Sequence, residues 1–319
     1  MGEFELIRHY FAAAACARAG GDVVLGIGDD CALLSVPAGE QLAVSTDSLT
    51  AGVHFPDPCD PYLLGQRALA VSTSDLAGMG ATPIGFTLAL TLPSVDPDWL
   101  AEFARGLDAM AAGCAMQLIG GDTTRGPLSM TLTVFGRVPR GAALLRSGAQ
   151  PGDLICVGGA LGDAAGALPI VLGEHPNDSA EAAALLRRYW SPEPQLALGQ
   201  ALRGKATAAL DISDGLVADC AHIAGASGVA LQIELSRLPL SDALLSITGA
   251  EGALQCALAG GDDYLLAFTL PAAQLSWLVE QGWPIHVVGQ VRAGEGVQLL
   301  DASGHVVVPP HSGYNHFPS

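Results

Sequence analysis

The sequence predicts a two-domain protein of the α/β class. Apolar runs of strand length alternate with longer segments of helical periodicity along most of the chain. Half of the 319 residues are hydrophobic and 40 are glycine, a composition typical of a compact, glycine-rich α/β protein. At this length the chain can form two domains, each with its own buried core.

The first half of the chain combines four predicted strands with two predicted helices. Strands are expected at residues 41–47, 84–92, 117–119 and 129–138, and helices at 61–80 and 98–116. The second helix begins with aspartates, whose negative charge interacts favourably with the positive end of the helix dipole. Pro139, Arg140 and Gly141 then interrupt the pattern. We therefore place the boundary between domains of residues 1–139 and 140–319 at this point.

The second half continues the mixture of strands and helices. Strands are expected at 153–157, 208–212 and 229–234, and helices at 163–172, 178–189 and 216–227, with a glycine-rich turn at 158–162. Further strands and helices are expected up to about Val291, before a loop-rich tail. Several strands can pair antiparallel, so the prediction is a mixed α/β fold.

Charge and cysteine content limit the partners and the compartment. The chain has 32 acidic and 14 basic residues, a formal net charge of -18, which repels nucleic acid and anionic membrane surfaces. A phosphorylated substrate would also be repelled unless metal ions reverse the local charge. The seven scattered cysteines favour free thiols in a reducing cytoplasm. No signal peptide or transmembrane helix is expected.

Aspartates in small polar motifs give the strongest functional signal. Nine acidic residues occur beside glycine, serine or threonine, although only 14% of all residues are charged. Carboxylates that converge without matching lysines repel one another unless cations lie between them. Magnesium is bound by a few carboxylates together with substrate phosphates. The pattern therefore predicts magnesium-dependent phosphate chemistry. The six segments are 26–30, 45–47, 73–75, 120–122, 211–215 and 260–263.

Three of these segments have both a metal-site and a structural interpretation. Ser45, Thr46 and Asp47 end a predicted strand, where they suit an oxygen-rich metal shell or the N-cap of the next element. Asp75 lies in an alanine- and glycine-rich helix, where a carboxylate is costly unless paired, metal-bound or solvated. The segment 120–122 either brings backbone close to a phosphate beside Asp122 or forms a plain turn.

The segment 211–215 is the most specific single element. Asp211 ends a predicted strand and Asp214 opens a predicted helix, whose N-terminal amides favour phosphate while the acids attract the cation. Helix capping by Ser213 or Asp214 explains one of the acids but not both. The segment 26–30 lacks a full dinucleotide fingerprint and is interpreted as a flexible acidic loop.

The basic residues give weaker signals. Residues 199–205 match most of a Walker A pattern, but Ala206 replaces the magnesium-binding hydroxyl and the preceding segment is helical, so Lys205, the only lysine, is not expected to hold phosphate. His54 either forms a hydrogen bond with a substrate phosphate or is a structural loop histidine. Arg146 is a candidate for a nucleotide phosphate, and Arg125 and Arg137 remain alternatives.

In this order and spacing, the motifs resemble those of the thiamine-monophosphate kinases, a family in the superfamily of aminoimidazole ribonucleotide synthetase. The resemblance spans nearly the whole chain. It rests on residues 2–4, 28–30, 45–47, 53–55, 74–78, 80–81, 120–123, 211–216, 260–264 and 313–314. Each motif alone is weak, but the ordered set is specific.

The resemblance implies ATP-dependent phosphorylation of thiamine monophosphate to thiamine diphosphate, the last step in making that product. Transfer would be direct, without a phosphoenzyme and with no general base assigned. It implies a homodimer whose N-terminal domains pair into a β-barrel, with nucleotide bound between domains. It also implies several Mg²⁺ ions, held by Asp30, Ser45, Thr46, Asp47, Asp75, Asp122, Asp211 and Asp214. ATP would contact Gly121, Asp122, Arg146 and Ser213, and the thiamine substrate His54, Asp262 and Tyr314.

Two departures from the family pattern affect the predicted substrate site. Asp262 stands where members often have glutamate, so a shorter carboxylate must reach the substrate, and Asn315 stands where aspartate is common. Two other interpretations are separable by experiment. One is a different ATP-using member of the superfamily, and the other is a non-catalytic acidic metal-binding protein, which would bind metal without transferring phosphate.

Overall fold

The computed structural model describes residues 3–308 and Gly313. They form two compact units: residues up to 76 together with 81–141, and residues 77–80 together with those from 142 onward. Both units combine helices and strands, so the prediction of a two-domain α/β fold is confirmed. In the described part of the chain, no helix has the length and apolar character needed to cross a membrane.

The first unit contains six strands and three helices among the described residues. The helices are α1 (Glu3–Leu6), α2 (Pro61–Gly78) and α3 (Pro97–Cys114). A π-helical turn at Ile7–Phe11 and a 3₁₀ turn at Ala15–Ala17 follow α1. The strands are β1 (Val23–Leu25), β2 (Leu33–Leu34), β3 (Glu40–Thr50), β4 (Thr82–Leu92), β5 (Gln117–Arg125) and β6 (Ser129–Pro139).

A four-stranded sheet in the order β3-β6-β4-β5 is the centre of the first unit. β6 pairs antiparallel with both β3 and β4, whereas β4 and β5 are parallel. Buried and partly buried residues alternate along the whole of β6, as expected for a sheet with one packed face. The other face is more open, since Leu42 and Val44 on β3 are 46% and 53% exposed.

Helices α2 and α3 pack closely through glycine. A Cβ atom on Gly106 of α3 would lie 1.9 Å from the carbonyl oxygen of Tyr62 on α2, so no larger residue fits there. Helix α3 begins after Asp96, whose carboxylate accepts hydrogen bonds from the amides of Asp98 and Trp99. The close approach buries α2, and residues 68–70 have no exposed surface.

The second unit contains seven strands and six helices among the described residues. The strands are β7 (Leu154–Val157), β8 (Ala208–Asp211), β9 (Ala230–Glu234), β10 (Leu266–Leu270), β11 (His286–Arg292), β12 (Gly296–Leu300) and β13 (Val306–Val307). The helices are α4 (Asp163–Val171), α5 (Ala180–Trp190), α6 (Leu196–Leu202), α7 (Leu216–Ser227), α8 (Asp242–Ala259) and α9 (Leu275–Glu280). Helix α8 is broken at Gly249, whose backbone is non-helical.

The seven strands form one sheet in the order β13-β12-β9-β11-β7-β10-β8. The neighbours pair antiparallel except β9 and β12, so the expectation of antiparallel pairs holds for this unit. Apolar clusters pack on the sheet. Ile155, Leu210 and Leu231 belong to one cluster, and Cys156 and Phe268 to another. All seven cysteines lie in the described part of the chain and all are free thiols, as predicted.

Two predicted strand ends were wrong in the first unit. β3 continues past Asp47 to Thr50, because it pairs with β6 over its whole length from Glu40 to Thr50. β5 continues through the Gly-Gly-Asp segment to Arg125, because β4 pairs with it as far as Arg125. The polar residues that suggested a strand end therefore lie inside strands.

Candidate active site

Ser45, Asp47 and Asp75 form an oxygen-rich cluster in the first unit. Ser45 and Asp47 are two residues apart on β3, so their side chains emerge on the same face of the sheet. The Ser45 hydroxyl donates a hydrogen bond to the carboxylate of Asp75 on α2. Ser72, one helical turn before Asp75, donates to the Ala68 carbonyl at 3.2 Å, and its hydroxyl lies close enough to Asp47 to lower the pKa of that carboxyl. A strand and a helix thus bring together three of the predicted metal ligands.

The cluster holds two carboxylates that repel each other. Burial, and to a smaller extent the negative charge of Asp75, raise the pKa of Asp47 to about 6, although the nearby Ser72 hydroxyl acts to lower it. A cation beside the two carboxylates would favour the ionised form of both. The arrangement is therefore suited to a bound positive charge.

The hydroxyl of Thr46 lies on the opposite face of β3. It forms a 2.9 Å hydrogen bond with the Thr133 hydroxyl on β6, and Ser48 forms a 2.7 Å bond with Thr131 on the same face. Strand alternation thus separates the Thr46 side chain from Asp47 and Asp75. A ligand role for Thr46 would fall to its backbone.

Gly121 and Asp122 lie inside β5, next to a bulge. The register with β4 shifts between Phe86 and Thr87, so β5 carries one extra residue there. Gly121 has φ of 154°, and a Cβ atom there would lie 2.0 Å from the Leu88 carbonyl oxygen. Only glycine fits this position. Both residues are exposed and help to line a pocket of about 60 Å³.

Asp30 and His54 lie on irregular segments of the first unit. Asp30 is exposed, and its amide donates to the carboxylate of Asp29. His54 accepts a 3.0 Å hydrogen bond at Nδ1 from the Thr50 amide, within a turn after β3. Because Nδ1 is the acceptor, a neutral His54 carries its proton on Nε2. Nε2 is therefore the donor nitrogen of this ring.

In the second unit, Asp219 organises the turn between β8 and α7. Its Oδ2 accepts hydrogen bonds from three consecutive amides, those of Ser213, Asp214 and Gly215, at 3.0, 3.0 and 3.2 Å. Burial raises the pKa of Asp219 to about 6, although the three amides act to lower it. These three amides are therefore already bonded to a side chain, and the expectation that the N-terminal amides of α7 favour phosphate stays a prediction.

The loop that follows α8 is bonded to the same turn. The amides of Asp262 and Tyr264 donate to the carbonyls of Ser213 and Ile212, each at 2.8 Å. The Tyr264 hydroxyl donates to Asp262 at 2.9 Å. Asp211, Ser213, Asp214 and Asp262 are therefore held on two bonded loops of one unit.

Asp263 is a buried acid next to this loop. Its Oδ1 accepts a 2.8 Å hydrogen bond from the Gly162 amide, whereas its buried Oδ2 has no hydrogen-bond partner. Burial raises the pKa of Asp263 to about 8. The acids Asp163 and Asp262 also raise it, and the Gly162 amide and Arg188 lower it.

Two of the basic side chains considered contact other residues, and one is exposed. Arg137 donates to Asp22 and Glu40, both at 2.6 Å, and is thus paired within the first unit. Lys205 lies 4.9 Å from the centre of the Trp277 ring, and α6 precedes it as a helix, so the Walker A pattern is accidental. Arg146 is exposed. Tyr314 lies outside the described residues.

Sequence reasoning missed Ser72 and Asp219, and it included Asp263 in the segment 260–263 without assigning it a role. Asp219 carried a usable signal, because it interrupts the apolar run Leu216–Cys220 at the start of a helix, where an acid is costly unless bonded. Ser72 carried no distinct signal, since serine in a helix is common, and nothing in the sequence distinguished the burial of Asp263 from that of Asp262.

The donor atoms of the first unit fit a hard cation. Within residues 3–308 and 313, no three His, Cys, Asp or Glu side chains converge to hold a metal ion by themselves. Ser45, Asp47 and Asp75 nevertheless offer two carboxylates and a hydroxyl. Magnesium is usually bound by one or two carboxylates and completed by water and substrate phosphates. The donor set therefore fits Mg²⁺ better than a metal that needs nitrogen or sulfur.

Comparison with known proteins identifies the family. Residues 28–138 match the AIR synthase related protein N-terminal domain, and residues 150–301 match its C-terminal domain. The thiamine-monophosphate kinase of Escherichia coli (strain K12) is 48% identical over 322 residues, which cover 99% of this chain and 98% of that protein. The chain belongs to the thiamine-monophosphate kinase family.

Solved structures of the thiamine-monophosphate kinase family have the same fold. That of the enzyme from Stenotrophomonas maltophilia K279a matches with a TM-score of 0.83 and 47% identity, covering 87% of this chain and 91% of that one. AaThiL, complexed with AMPPCP and TMP, matches with a TM-score of 0.80 and 31% identity, covering 91% and 92%. The family resemblance inferred from the motifs is thus confirmed.

Proposed function

We propose that this protein transfers the γ-phosphoryl group of ATP to thiamine monophosphate and releases thiamine diphosphate. The observation that carries the proposal is the cluster of Ser45, Asp47 and Asp75 in a chain 48% identical to the Escherichia coli thiamine-monophosphate kinase. AaThiL, complexed with AMPPCP and TMP, is 31% identical. Phosphoryl transfer depends mainly on positioning and charge neutralisation, and this cluster suits the second task.

The proposed cofactor is Mg²⁺. Asp47, Asp75 and Ser45 would hold it through the cluster described above, and the family pattern adds Asp30, Thr46, Asp122, Asp211 and Asp214. When bound, the ion would neutralise phosphate charge in a chain whose net charge is -18. The only lysine is occupied against Trp277, which leaves this task to metal and arginine.

The nucleotide and substrate contacts are proposed separately for each domain. In the first domain, residues 1–139, the exposed Gly121 backbone and Asp122 would contact ATP, and His54 would donate from Nε2 to a substrate phosphate. This domain would also bind the metal and form the dimer.

In the second domain, residues 140–319, Arg146 and Ser213 would contact ATP, and Asp262 and Tyr314 would contact the thiamine substrate. The attacking group is a phosphate oxygen, which is already ionised, so no general base is assigned and no phosphoenzyme is formed.

The first unit also supports a proposed homodimer. β3 is an 11-residue edge strand of the sheet, with a face that exposes Leu42 and Val44. A long edge strand of this kind is a template for pairing with a second copy. We expect the N-terminal domains of two copies to complete a β-barrel across the dimer. Light scattering in solution would detect the dimer itself as a doubled mass. Seven free thiols favour a reducing compartment, so a cytoplasmic location is proposed.

One assay tests the proposal directly. Purified protein is incubated with ATP, Mg²⁺ and thiamine monophosphate, and thiamine diphosphate is measured by chromatography. Product is expected only when all three are present, and no label from γ-³²P ATP should remain on the protein. A non-catalytic metal-binding protein would bind Mg²⁺ without making product, and that result would refute the proposed activity.

A further inference from the structure

In the turn between β8 and α7, both the backbone amides and the backbone carbonyls are hydrogen-bonded within the protein. Asp219 accepts from the amides of Ser213, Asp214 and Gly215. The carbonyls of Ile212 and Ser213 accept from the amides of Tyr264 and Asp262. Five consecutive or nearly consecutive backbone groups are therefore satisfied inside the second unit. These bonds within the protein fix the conformation of the turn.

The Asp219 carboxylate occupies a site that would otherwise attract an anion. Consecutive amides that point to one place form a concave anion site, as in phosphate-binding loops. Here a single oxygen of Asp219 fills that place, and the residue is only 4% exposed. Phosphate cannot bind to these three amides without displacing a buried carboxylate. The turn can therefore offer a ligand the side chains of Ser213 and Asp214, but not these amides.

We propose that Asp219 is a positioning residue for the phosphoryl transfer. It fixes the turn so that the Ser213 and Asp214 side chains are presented to the magnesium–nucleotide complex. This inference rests on the proposed function. It assigns Asp219 no contact with substrate, metal or nucleotide, and it predicts that loss of Asp219 weakens nucleotide binding while leaving the thiamine substrate little affected.

Two substitutions of Asp219 distinguish the effect of its acceptor oxygen from the effect of its negative charge. Asp219→Asn can keep a carbonyl oxygen in the place of Oδ2, so it retains an acceptor for the amides but loses the negative charge. Asp219→Ala removes both. Asp153 provides a matched control, because it is 6% exposed and accepts from the Gln150 amide at 2.9 Å and the Thr207 hydroxyl at 2.6 Å. Thr207 precedes β8, so Asp153 lies at the end of the strand opposite Asp211.

The first measurement is hydrogen exchange of the peptide that covers residues 211–216, in protein free of metal and nucleotide. The amides of residues 213–215 are expected to exchange at least about tenfold faster in Asp219→Ala than in wild type, because a hydrogen bond to a charged group contributes about 1.5 kcal/mol or more. Asp153→Ala should leave this peptide unchanged. Equal exchange in wild type and Asp219→Ala would overturn the proposal.

The second measurement is the affinity for the non-hydrolysable nucleotide AMPPCP with Mg²⁺, measured by calorimetry, together with steady-state kinetics. Asp219→Ala should bind about tenfold more weakly and Asp219→Asn about threefold, because charge-assisted bonds are about twice as strong as neutral ones. The KM for thiamine monophosphate should change less than about twofold. Equal nucleotide affinity in Asp219→Ala and Asp153→Ala would overturn the proposal.

Two further outcomes are distinguishable. If Asp219→Ala does not fold, Asp219→Asn is compared with Asp153→Asn, and equal nucleotide affinities in that pair would overturn the proposal. If the wild-type protein makes no thiamine diphosphate, the proposed function fails, whereas the exchange experiment still decides whether Asp219 holds the turn.

Discussion

The two units hold their acidic residues in different ways. In the first unit, Ser45 and Asp47 project from a long strand, and alternation along β3 decides that they meet Asp75 while Thr46 does not. In the second unit, the turn at 211–215 belongs to no strand or helix over most of its length, and hydrogen bonds to Asp219 decide its conformation.

The difference predicts how each region responds to mutation. A strand supported by 11 paired residues tolerates the loss of one side chain, so substitutions there should alter chemistry more than stability. A turn that depends on one buried carboxylate should lose its conformation when that residue is removed. In the first unit, therefore, we expect site mutations to change activity with less effect on folding than in the second unit.

The largest effect is expected for Asp47→Asn in the first unit. Removal of one of two clustered carboxylates should lower kcat/KM by at least about 100-fold, since it removes charge that would hold the cation at the phosphates. More ATP alone should not restore activity. Steady-state kinetics check this.

Ser48→Ala is the matched control for Asp47→Asn, because Ser48 lies on the opposite face of β3 and is bonded to Thr131. It should retain nearly full activity. Wild-type kinetics in Asp47→Asn would remove Asp47 from the site.

Gly121→Ala should have the next largest effect. It tests whether the close approach of β5 to β4 contributes to the stability of the first unit. The added Cβ would lie 2.0 Å from the Leu88 carbonyl oxygen, at a φ of 154°. We expect the free energy of unfolding to fall by about 2–3 kcal/mol, measured by urea denaturation.

The control for Gly121→Ala is Gly113→Ala in α3, where the added Cβ would have no atom within 4 Å apart from its chain neighbours and the backbone of its own helix. This change should stabilise the protein by up to about 1 kcal/mol, because alanine favours a helix. Equal stability of the two variants would contradict the close approach of β4 and β5.

Asp263→Asn probes the buried acid of the second unit through pH. The pKa of Asp263 is about 8 in the folded protein, above its ordinary value of 3.8. Between these values the folded state holds a proton that the unfolded chain has lost, so stability falls as pH rises.

The substitution should remove this dependence. From pH 6 to pH 8 the variant should gain about 2 kcal/mol relative to wild type, measured by urea unfolding at each pH. Parallel pH profiles for the two proteins would show that Asp263 is ionised throughout this range.

Thr46→Val should have the smallest effect. Its hydroxyl is bonded to Thr133 on the face of β3 away from Asp47, so kcat/KM should remain within about twofold of wild type, as for a surface change. Activity measured as a function of Mg²⁺ concentration checks this. A large rise in the Mg²⁺ requirement would mean that the hydroxyl reaches the metal after all.

Much of the fold could be predicted from the chain. The expectation of a loop-rich tail after about Val291 was wrong, because β12 and β13 lie there and pair into the sheet, whereas the errors at β3 and β5 share another cause. The helices α2, α3 and α7 and the strands β6 and β8 were predicted within about two residues. β3 and β5 were predicted too short, because polar residues were taken as strand ends. Strand length is set by pairing partners, and the partner of Thr46 is Thr133, 87 residues away. Local composition does not contain that information.

The sequence by itself determined the family and the type of chemistry, because ordered aspartate and glycine motifs can be recognised without coordinates. Only the tertiary structure decided which side chains share a face of β3, and that the amides of the 211–215 turn are bonded to Asp219. The physical reason is that both depend on where the backbone hydrogen bonds go. Those bonds are settled by packing among distant segments, whereas the kind of ligand atom is fixed by residue type alone.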